Sequence, residues 1–251
     1  MEKQIDKLVE MIQSSNSIVF FGGAGVSTES GIPDFRSKDG LYNQHDVQFD
    51  QYTPEYLLSH SCLYHHPDVF YEFYRQKLDT SAIEPNAAHY FLTKLEKSGK
   101  LKAIITQNID GLHQKAGSKH VYEIHGSTYR NYCERCHKQY PQDYIFKSKQ
   151  AIPYCTCGGM IRPDVTLYEE ALPQETVYQA VKALRNADML IIGGTSLTVY
   201  PAASYINEFH GKYLVVINRD PLGMKLSAND LEINESIGKV FAEAEKKLNL
   251  K

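Results

Sequence analysis

Three short, nearly continuous apolar runs end in glycine or polar loops, and each follows a stretch whose apolar residues recur at helical spacing. Ile5, Leu8, Val9 and Ile12 precede SIVFF at 17–21, which runs into Gly22 and Gly23. AAHYFLTKLEKSG at 87–99 carries Ala88, Phe91, Leu92 and Leu95 on one face, with Gly99 as its stop, and precedes LKAIITQN. VYQAVKALRNA at 177–187 precedes DMLIIGGTSL at 188–197, and YLVVINRD at 213–220 reads as a further strand. A strand that is apolar along its whole length needs cover on both faces. Helices alternating with such strands therefore predict an α/β fold on a parallel sheet, with ligands bound beyond the carboxyl ends of the strands.

Two segments break this rhythm. Residues 37–85 scatter Tyr, His and Pro between short amphipathic pieces such as DVFYEFYRQKL, and read as a helical excursion or lid. Residues 130–160 are rich in Cys, Tyr and turn formers and lack helical periodicity, as an inserted metal module would. A chain of 251 residues has room for one large domain carrying such a smaller part. Four of its five cysteines fall in that second segment, as the pairs Cys133/Cys136 and Cys155/Cys157, and Cys62 stands apart. In a reducing compartment this clustering favours a zinc ion over disulfides or four idle thiols. The second pair is CxC, which needs a tighter turn than CxxC, and Gly158 and Gly159 supply the freedom for it. Four sulfurs close the coordination sphere, so the zinc is expected to be structural, with His137 a neighbour and not a ligand.

Other classes are excluded by charge and hydropathy. With 27 Lys plus Arg against 30 Asp plus Glu, the net charge of −3 offers no field for a phosphate backbone, and nucleic acid is not an expected partner. No apolar run approaches the ~20 residues that span a bilayer, and the polar start MEKQIDKLVEMIQSS has no signal-peptide core. A cytoplasmic protein with no membrane partner is expected.

The candidate chemistry sits at strand ends. GGAGVST at 22–28 follows a strand, but Thr28 stands where a GxGxxG fingerprint would place its third glycine. The loop is read either as a phosphate cradle or as a tight turn. Beyond it, Phe35 offers a cover for a flat ring and Arg36 a partner for pyrophosphate. QNIDGLH at 107–113 puts Gln107, Asn108 and Asp110 where a ribose or carboxamide would lie, or else forms an Asx turn before Gly111. His125 ends VYEIH just before Gly126, a position suited to a base near neutral pH and equally open to a structural histidine. The residues alone thus describe a nucleotide-binding α/β enzyme with a structural zinc.

Taken together, GAGVSTESGIPDFR, PNAAH, TQNIDGLH, EIHG, the cysteine pairs, GGMIRPDV, GTSLTVYPA and the Ile217–Asn218 pair resemble the sirtuin family in order and approximate spacing, from about residue 20 to 240. The resemblance implies a large Rossmann-like domain (1–36, 86–128 and 163–251) and a small domain made of a helical part (37–85) and a zinc ribbon (129–162). It implies an NAD-dependent protein lysine deacetylase, with acylated-lysine proteins as partners and NAD as a consumed co-substrate. Ala24, Thr28 and Arg36 would line the NAD phosphates and ribose, and Phe35 would shield the nicotinamide. Ile109 and Asp110 would hold the carboxamide, Asp110 accepting its N–H, while Gln107 and Asn108 would order the nicotinamide ribose and a water. Thr195, Ser196 and Asn218 would meet phosphates and adenine ribose, and Ile237 the adenine. In the implied mechanism the acyl oxygen attacks the ribose as nicotinamide leaves. His125 then serves as general base on a ribose hydroxyl, giving free lysine and O-acyl-ADP-ribose. The peptide would pair as a strand between the segment from Val165 through Tyr168 and the loop at Val199.

Two departures from the family pattern stand out. Tyr168, Glu169 and Glu170 replace a common Phe-Gly-Glu, which removes a glycine and adds a charge on the peptide side. Tyr74 is followed three residues on by Lys77, where the sub-class removing acidic acyl groups has tyrosine and arginine, so neutral acyl groups are expected. Protein mono-ADP-ribosyl transfer is the rival on the same fold, and His125 weighs against it. A zinc-containing dehydrogenase would need the intact fingerprint that Thr28 interrupts, and a zinc-ribbon adaptor for nucleic acid would need a basic surface.

Overall fold

The computed structural model describes residues 1–35, 37, 40–43 and 46–248. Among these residues the strands are β1 Ile18–Gly22, β2 Leu101–Thr106, β3 Val121–Glu123, β4 Gly126–Cys133, β5 Gln139–Pro141, β6 Ile161–Val165, β7 Met189–Gly193, β8 Tyr213–Ile217 and β9 Leu231–Ile233. The helices are α1 Glu2–Ser14, α2 Pro54–Leu57, α3 His60–His65, α4 Pro67–Leu78, α5 Ala87–Lys97, α6 Leu112–Lys115, α7 Asp143–Phe146, α8 Gln174–Arg185 and α9 Ile237–Leu248. None of the described helices is long and apolar enough to cross a membrane.

Six strands form one parallel sheet in the order β3-β2-β1-β7-β8-β9. The pleat sends alternate residues to opposite faces. Ile18 and Phe20 of β1 pack with Ile191 of β7 beneath α1, α5 and α9, while Val19, Phe21 and Ile192 face Ala180 and Leu184 of α8. All five residues of β1 and of β7 are buried, as two-sided cover requires. Each large apolar side chain taken from water here contributes ~1.5–3 kcal/mol.

The chain leaves β1 for β2 and β3 on one side, then returns to β7 on the other, so β1 and β7 flank the point where strand order reverses. Crevices that hold ligands open at such points, beyond the carboxyl ends. The loops after these two strands touch: the Gly25 N–H donates to Gly194 O at 2.8 Å. A Cβ on Gly25 would stand 2.8 Å from the Gly194 Cα, so glycine is what allows the approach.

The remainder forms a second core. Helices α2 to α4 pack their Leu57, Leu63, Phe70, Tyr71 and Tyr74 against Ile145 of α7 and Ile161 of β6, in the antiparallel sheet β5-β4-β6. The helical excursion and the cysteine segment therefore share one interior. The junctions expected at 128/129 and 162/163 fall inside β4 and β6, which run from the cleft, where Gly126 pairs with Val165, through a break in register between Ser127 and Asn131, to the cysteines, where Cys133 pairs with Ile161.

Candidate active site

Beyond the carboxyl ends of β1, β2 and β7 lies a cavity of about 550 Å³. Its wall includes Ala24 and Thr28 from the glycine loop, Phe35 from the segment beyond it, and Gln107, Asn108 and Ile109 from the loop after β2. His125, Val165 and Tyr168 close it on the side of the small module; Thr195, Ser196, Val199, Asn218 and Ile237 complete the opposite side. Fourteen residues singled out in the sequence are thus brought to one space. Arg36 lies outside the described residues.

The floor is a hydrogen-bonded chain that ties two loops together. The Asn108 Nδ2 donates to Ser27 Oγ at 3.1 Å, and Ser27 Oγ donates to Asp110 Oδ2 at 2.7 Å. Asp110 Oδ1 accepts the Leu112 N–H at 2.9 Å, which is the Asx turn open as an alternative from sequence. Direct contact of Asp110 with a carboxamide is the sequence expectation; here Asp110 is buried and each of its oxygens accepts one of these bonds, which leaves lone pairs for a further donor. A carboxylate so enclosed needs those donors. Burial pushes its pKa up, opposed by the bonds from Ser27, Leu112 and Asn108. Ser27 carries no local signal in the sequence, because its contacts lie 81 and 83 residues away.

Above the floor, the Thr195 hydroxyl donates to Gln107 Oε1 at 3.0 Å, joining the loops after β2 and β7. The Gln107 Nε2 is buried with no partner among the described residues. An unpaired buried amide donor in a cavity wall is costly, and a polar ligand group in the cavity would relieve it. Asn218 orders its own loop by donating to Asp220 O at 2.8 Å.

His125 follows β3 and precedes β4, with its ring half-buried. Its Nδ1 lies 2.9 Å from the main-chain oxygen of Gln107. A carbonyl only accepts, so the proton sits on Nδ1 and the lone pair on Nε2, the arrangement a general base needs.

The departures at 168–170 also acquire a structure. Arg162 grips Glu170 with two bonds, Nη1 to Oε1 at 2.7 Å and Nη2 to Oε2 at 2.9 Å, and Glu170 also accepts the Leu167 N–H. Glu169 has φ +75°, the left-handed region that favours glycine. Its Oε2 accepts both the N–H and the hydroxyl of Ser61, at 2.9 and 2.7 Å, so the added charge is held against α3. Lys77 does not line the cavity and pairs with Asp46 at 3.1 Å, while Tyr74 is fully buried in the module core. Neither lines the cavity wall.

At the far end of β4 the sulfurs of Cys133, Cys136, Cys155 and Cys157 lie within 4.8 Å of one another. Cys133 and Cys157 are 3.5 Å apart and Cys136 and Cys155 3.6 Å, close to the ~3.8 Å separation of sulfurs ~2.3 Å from a tetrahedral zinc. A Cβ on Gly159 would stand 2.6 Å from the Cys133 sulfur, which accounts for glycine after the CxC pair. The Cys157 N–H and the Tyr140 hydroxyl point at the Cys155 sulfur and pull its pKa down to about 6. This donor set fits zinc. His137 is exposed and outside the cluster.

Comparison with known proteins agrees with this geometry. The Sir2 family model matches residues 23–201. The chain is 56% identical to an NAD-dependent protein deacetylase of Clostridium perfringens, over 97% of this chain and 99% of that one. It is 50% identical to one from Cutibacterium acnes, over 96% and 97%. Among solved structures it superposes on Sir2 bound to an acetylated peptide with TM-score 0.85 and 32% identity, covering 98% of this chain and 99% of that one. A second, a complex of Sir2 with a p53 peptide and NAD+, gives TM-score 0.82 and 35% identity over 98% and 99%. With a family match across most of its length, relatives identical at half or more of their positions and the same fold over nearly the whole chain, this chain belongs to the Sir2 family.

Proposed function

We propose that this chain is an NAD-dependent protein lysine deacetylase that consumes NAD, releases nicotinamide and transfers the acyl group from lysine to ADP-ribose. The observation that carries this reading is His125, on the cavity wall with its tautomer set by the Gln107 carbonyl. Its Nε2 takes the proton from a ribose hydroxyl as that oxygen attacks the acyl carbon. Asn108 and Gln107 orient the ribose and a water, and the unpaired Gln107 amide supplies a ready donor. Phe35 covers the nicotinamide, and Ile109 and Asp110 hold the carboxamide, Asp110 accepting its N–H. Ala24, Thr28 and Arg36 serve the phosphates, Thr195, Ser196 and Asn218 the phosphates and adenine ribose, and Ile237 the adenine.

The acylated peptide lies between the edge at Val165 to Tyr168 and the loop at Val199. Neutral acyl groups suit the site, since Lys77 is engaged with Asp46. The four cysteines hold a zinc ion whose contribution is structural, because four thiolates leave no position for substrate. Residues 1–36, 86–128 and 163–251 form the NAD-binding part and 37–85 with 129–162 the small part, β4 and β6 being common to both. The protein acts in the cytoplasm on acylated-lysine proteins, without nucleic acid.

Mass spectrometry of an acetyl-lysine peptide incubated with the protein, with and without NAD, tests this. Acetyl loss that requires NAD, yields O-acetyl-ADP-ribose and falls about 10²–10⁴-fold in His125→Ala is expected. Nicotinamide release with ADP-ribose appearing on protein, the peptide staying acetylated, would instead assign mono-ADP-ribosyl transfer.

A further inference from the structure

Tyr168 carries a hydroxyl where the family pattern commonly has phenylalanine, and that hydroxyl reaches across the cavity. It lies 3.0 Å from the Tyr42 hydroxyl, 126 residues away in sequence, and both rings line the cavity wall. The two tyrosines are mounted differently. Tyr168 belongs to the peptide-side edge and its main chain is fixed twice: its N–H donates to Leu58 O and its carbonyl accepts the His60 N–H, both at 3.0 Å. Tyr42 belongs to the turn Leu41–Asn43, which closes the loop that begins at Asp34.

That loop folds back so that Tyr42 stands beside Phe35. The Leu41 N–H donates to Asp34 O at 2.7 Å and the Tyr42 N–H to Phe35 O at 2.9 Å. The Phe35 and Tyr42 rings meet edge to face with centroids 5.4 Å apart. Any constraint placed on the Tyr42 ring is therefore felt by Phe35 through both a ring contact and a main-chain bond.

We propose that Tyr168 is a positioning residue for the NAD site: its hydroxyl holds Tyr42, and through Tyr42 it sets the placement of Phe35 over the nicotinamide. This rests on the deacetylase reading above. It makes the peptide-side edge and the NAD loop one coupled unit, so the edge that takes the substrate also organises the loop that covers the co-substrate. Phenylalanine at 168 keeps the ring and its packing and removes one oxygen, which separates the bridge from mere bulk.

Steady-state kinetics on Tyr168→Phe, Tyr42→Phe and the double variant test the bridge, with KM for NAD measured at saturating acetyl-peptide and KM for peptide at saturating NAD. Each single change is expected to raise KM for NAD about three- to tenfold, the worth of one neutral hydrogen bond, with smaller changes in kcat and in KM for peptide. The double variant is expected to fall well short of the product of the two, because each hydroxyl acts through the other. Calorimetric titration with NAD alone should show the same order. The proposal is overturned if Tyr42→Phe is silent while Tyr168→Phe raises KM for peptide, which would make the hydroxyl a peptide contact. Fully multiplicative single effects overturn it equally. A wild-type protein that neither binds NAD nor deacetylates would overturn the functional reading and the bridge with it, an outcome distinct from silent variants of an active enzyme.

Discussion

Strand β1, buried at all five positions between two helical layers, and strand β5, whose three residues run exposed, buried, exposed, order themselves by different means. The parallel sheet needs nothing beyond its side chains: Phe20, Phe21, Ile191 and Ile192 carry enough apolar area to offset the entropy of ordering them. At the ribbon tip, by contrast, Cys136 is exposed, Tyr144 and Tyr154 are partly exposed, and the convergent feature is a set of four sulfurs. Packing specifies the first region and ligation the second, and the two meet at β4 and β6.

The strongest way to separate them is to remove the metal. Structural zinc in small modules binds with an apparent ~10–16 kcal/mol, which is folding free energy for whatever it holds. Chelation, or Cys136→Ser, is expected to open 133–160 to amide exchange and abolish deacetylation, because β4 and β6 lead from the sulfurs to Gly126 and Val165 beside His125. The sheet strands β1 and β7 should stay protected. Simultaneous exchange of all three at one chelator concentration would show that the two regions fold as one unit.

A second contrast concerns what fills the interiors. The buried strands β1 and β7 carry only apolar side chains and glycine, whereas β6 brings Arg162 in with side-chain exposure of 9%, paired to Glu170 at 17%. Removing one partner leaves a buried charge, so Glu170→Ala is expected to cost about 3–5 kcal/mol in urea denaturation. Arg162→Met with Glu170→Leu should cost much less. An equal loss from both would mean that the Leu167 N–H bond to Glu170, and not charge burial, decides the stability of this edge.

Acid separates the regions in the other direction. His89 and His113 are fully buried under the sheet domain, rings 4.8 Å apart, with three ring nitrogens unpartnered among the described residues. Burial depresses both, His89 to about 4 and His113 well below its ordinary value. The unfolded chain takes up protons on them near pH 6.5 and the folded chain does not. Stability therefore falls as pH drops from about 6.5 towards 4, by about 1.4 kcal/mol per pH unit for each histidine. Urea midpoints at pH 7.5, 6.5 and 5.5 measure it, and a flat series would mean that water reaches the pair.

What was legible from sequence follows the same division. Strand ends and glycine loops show because period and burial are local properties, and the cysteines show because a ligand set is compact in sequence. Residues 37–85 read only as scattered amphipathic pieces, since α2 and α3 span four and six residues, too few for a 3.6-residue period to repeat. The Ser27 link to Asp110 and the Tyr42 pair with Tyr168 join residues 83 and 126 apart, and no local pattern announces either. Asp110 is legible from its place after a strand, although its role as a buried acceptor depends on Ser27 closing over it.

Glu169 offers the smallest and most discriminating test, because two local effects oppose each other at one residue. Its φ of +75° disfavours any side chain, yet the side chain it carries clasps Ser61 on α3 and is held ionised by those bonds, its pKa lowered first by the Ser61 hydroxyl and N–H. Glu169→Ala keeps the backbone strain and loses the clasp; Glu169→Gly loses the clasp and the strain together. The alanine variant is expected to melt roughly 2–4 °C below the glycine variant, with glycine near wild type. Should alanine and glycine melt alike, the left-handed backbone is imposed by the surrounding edge at no cost to the residue. The clasp would then serve to keep the carboxylate turned towards α3.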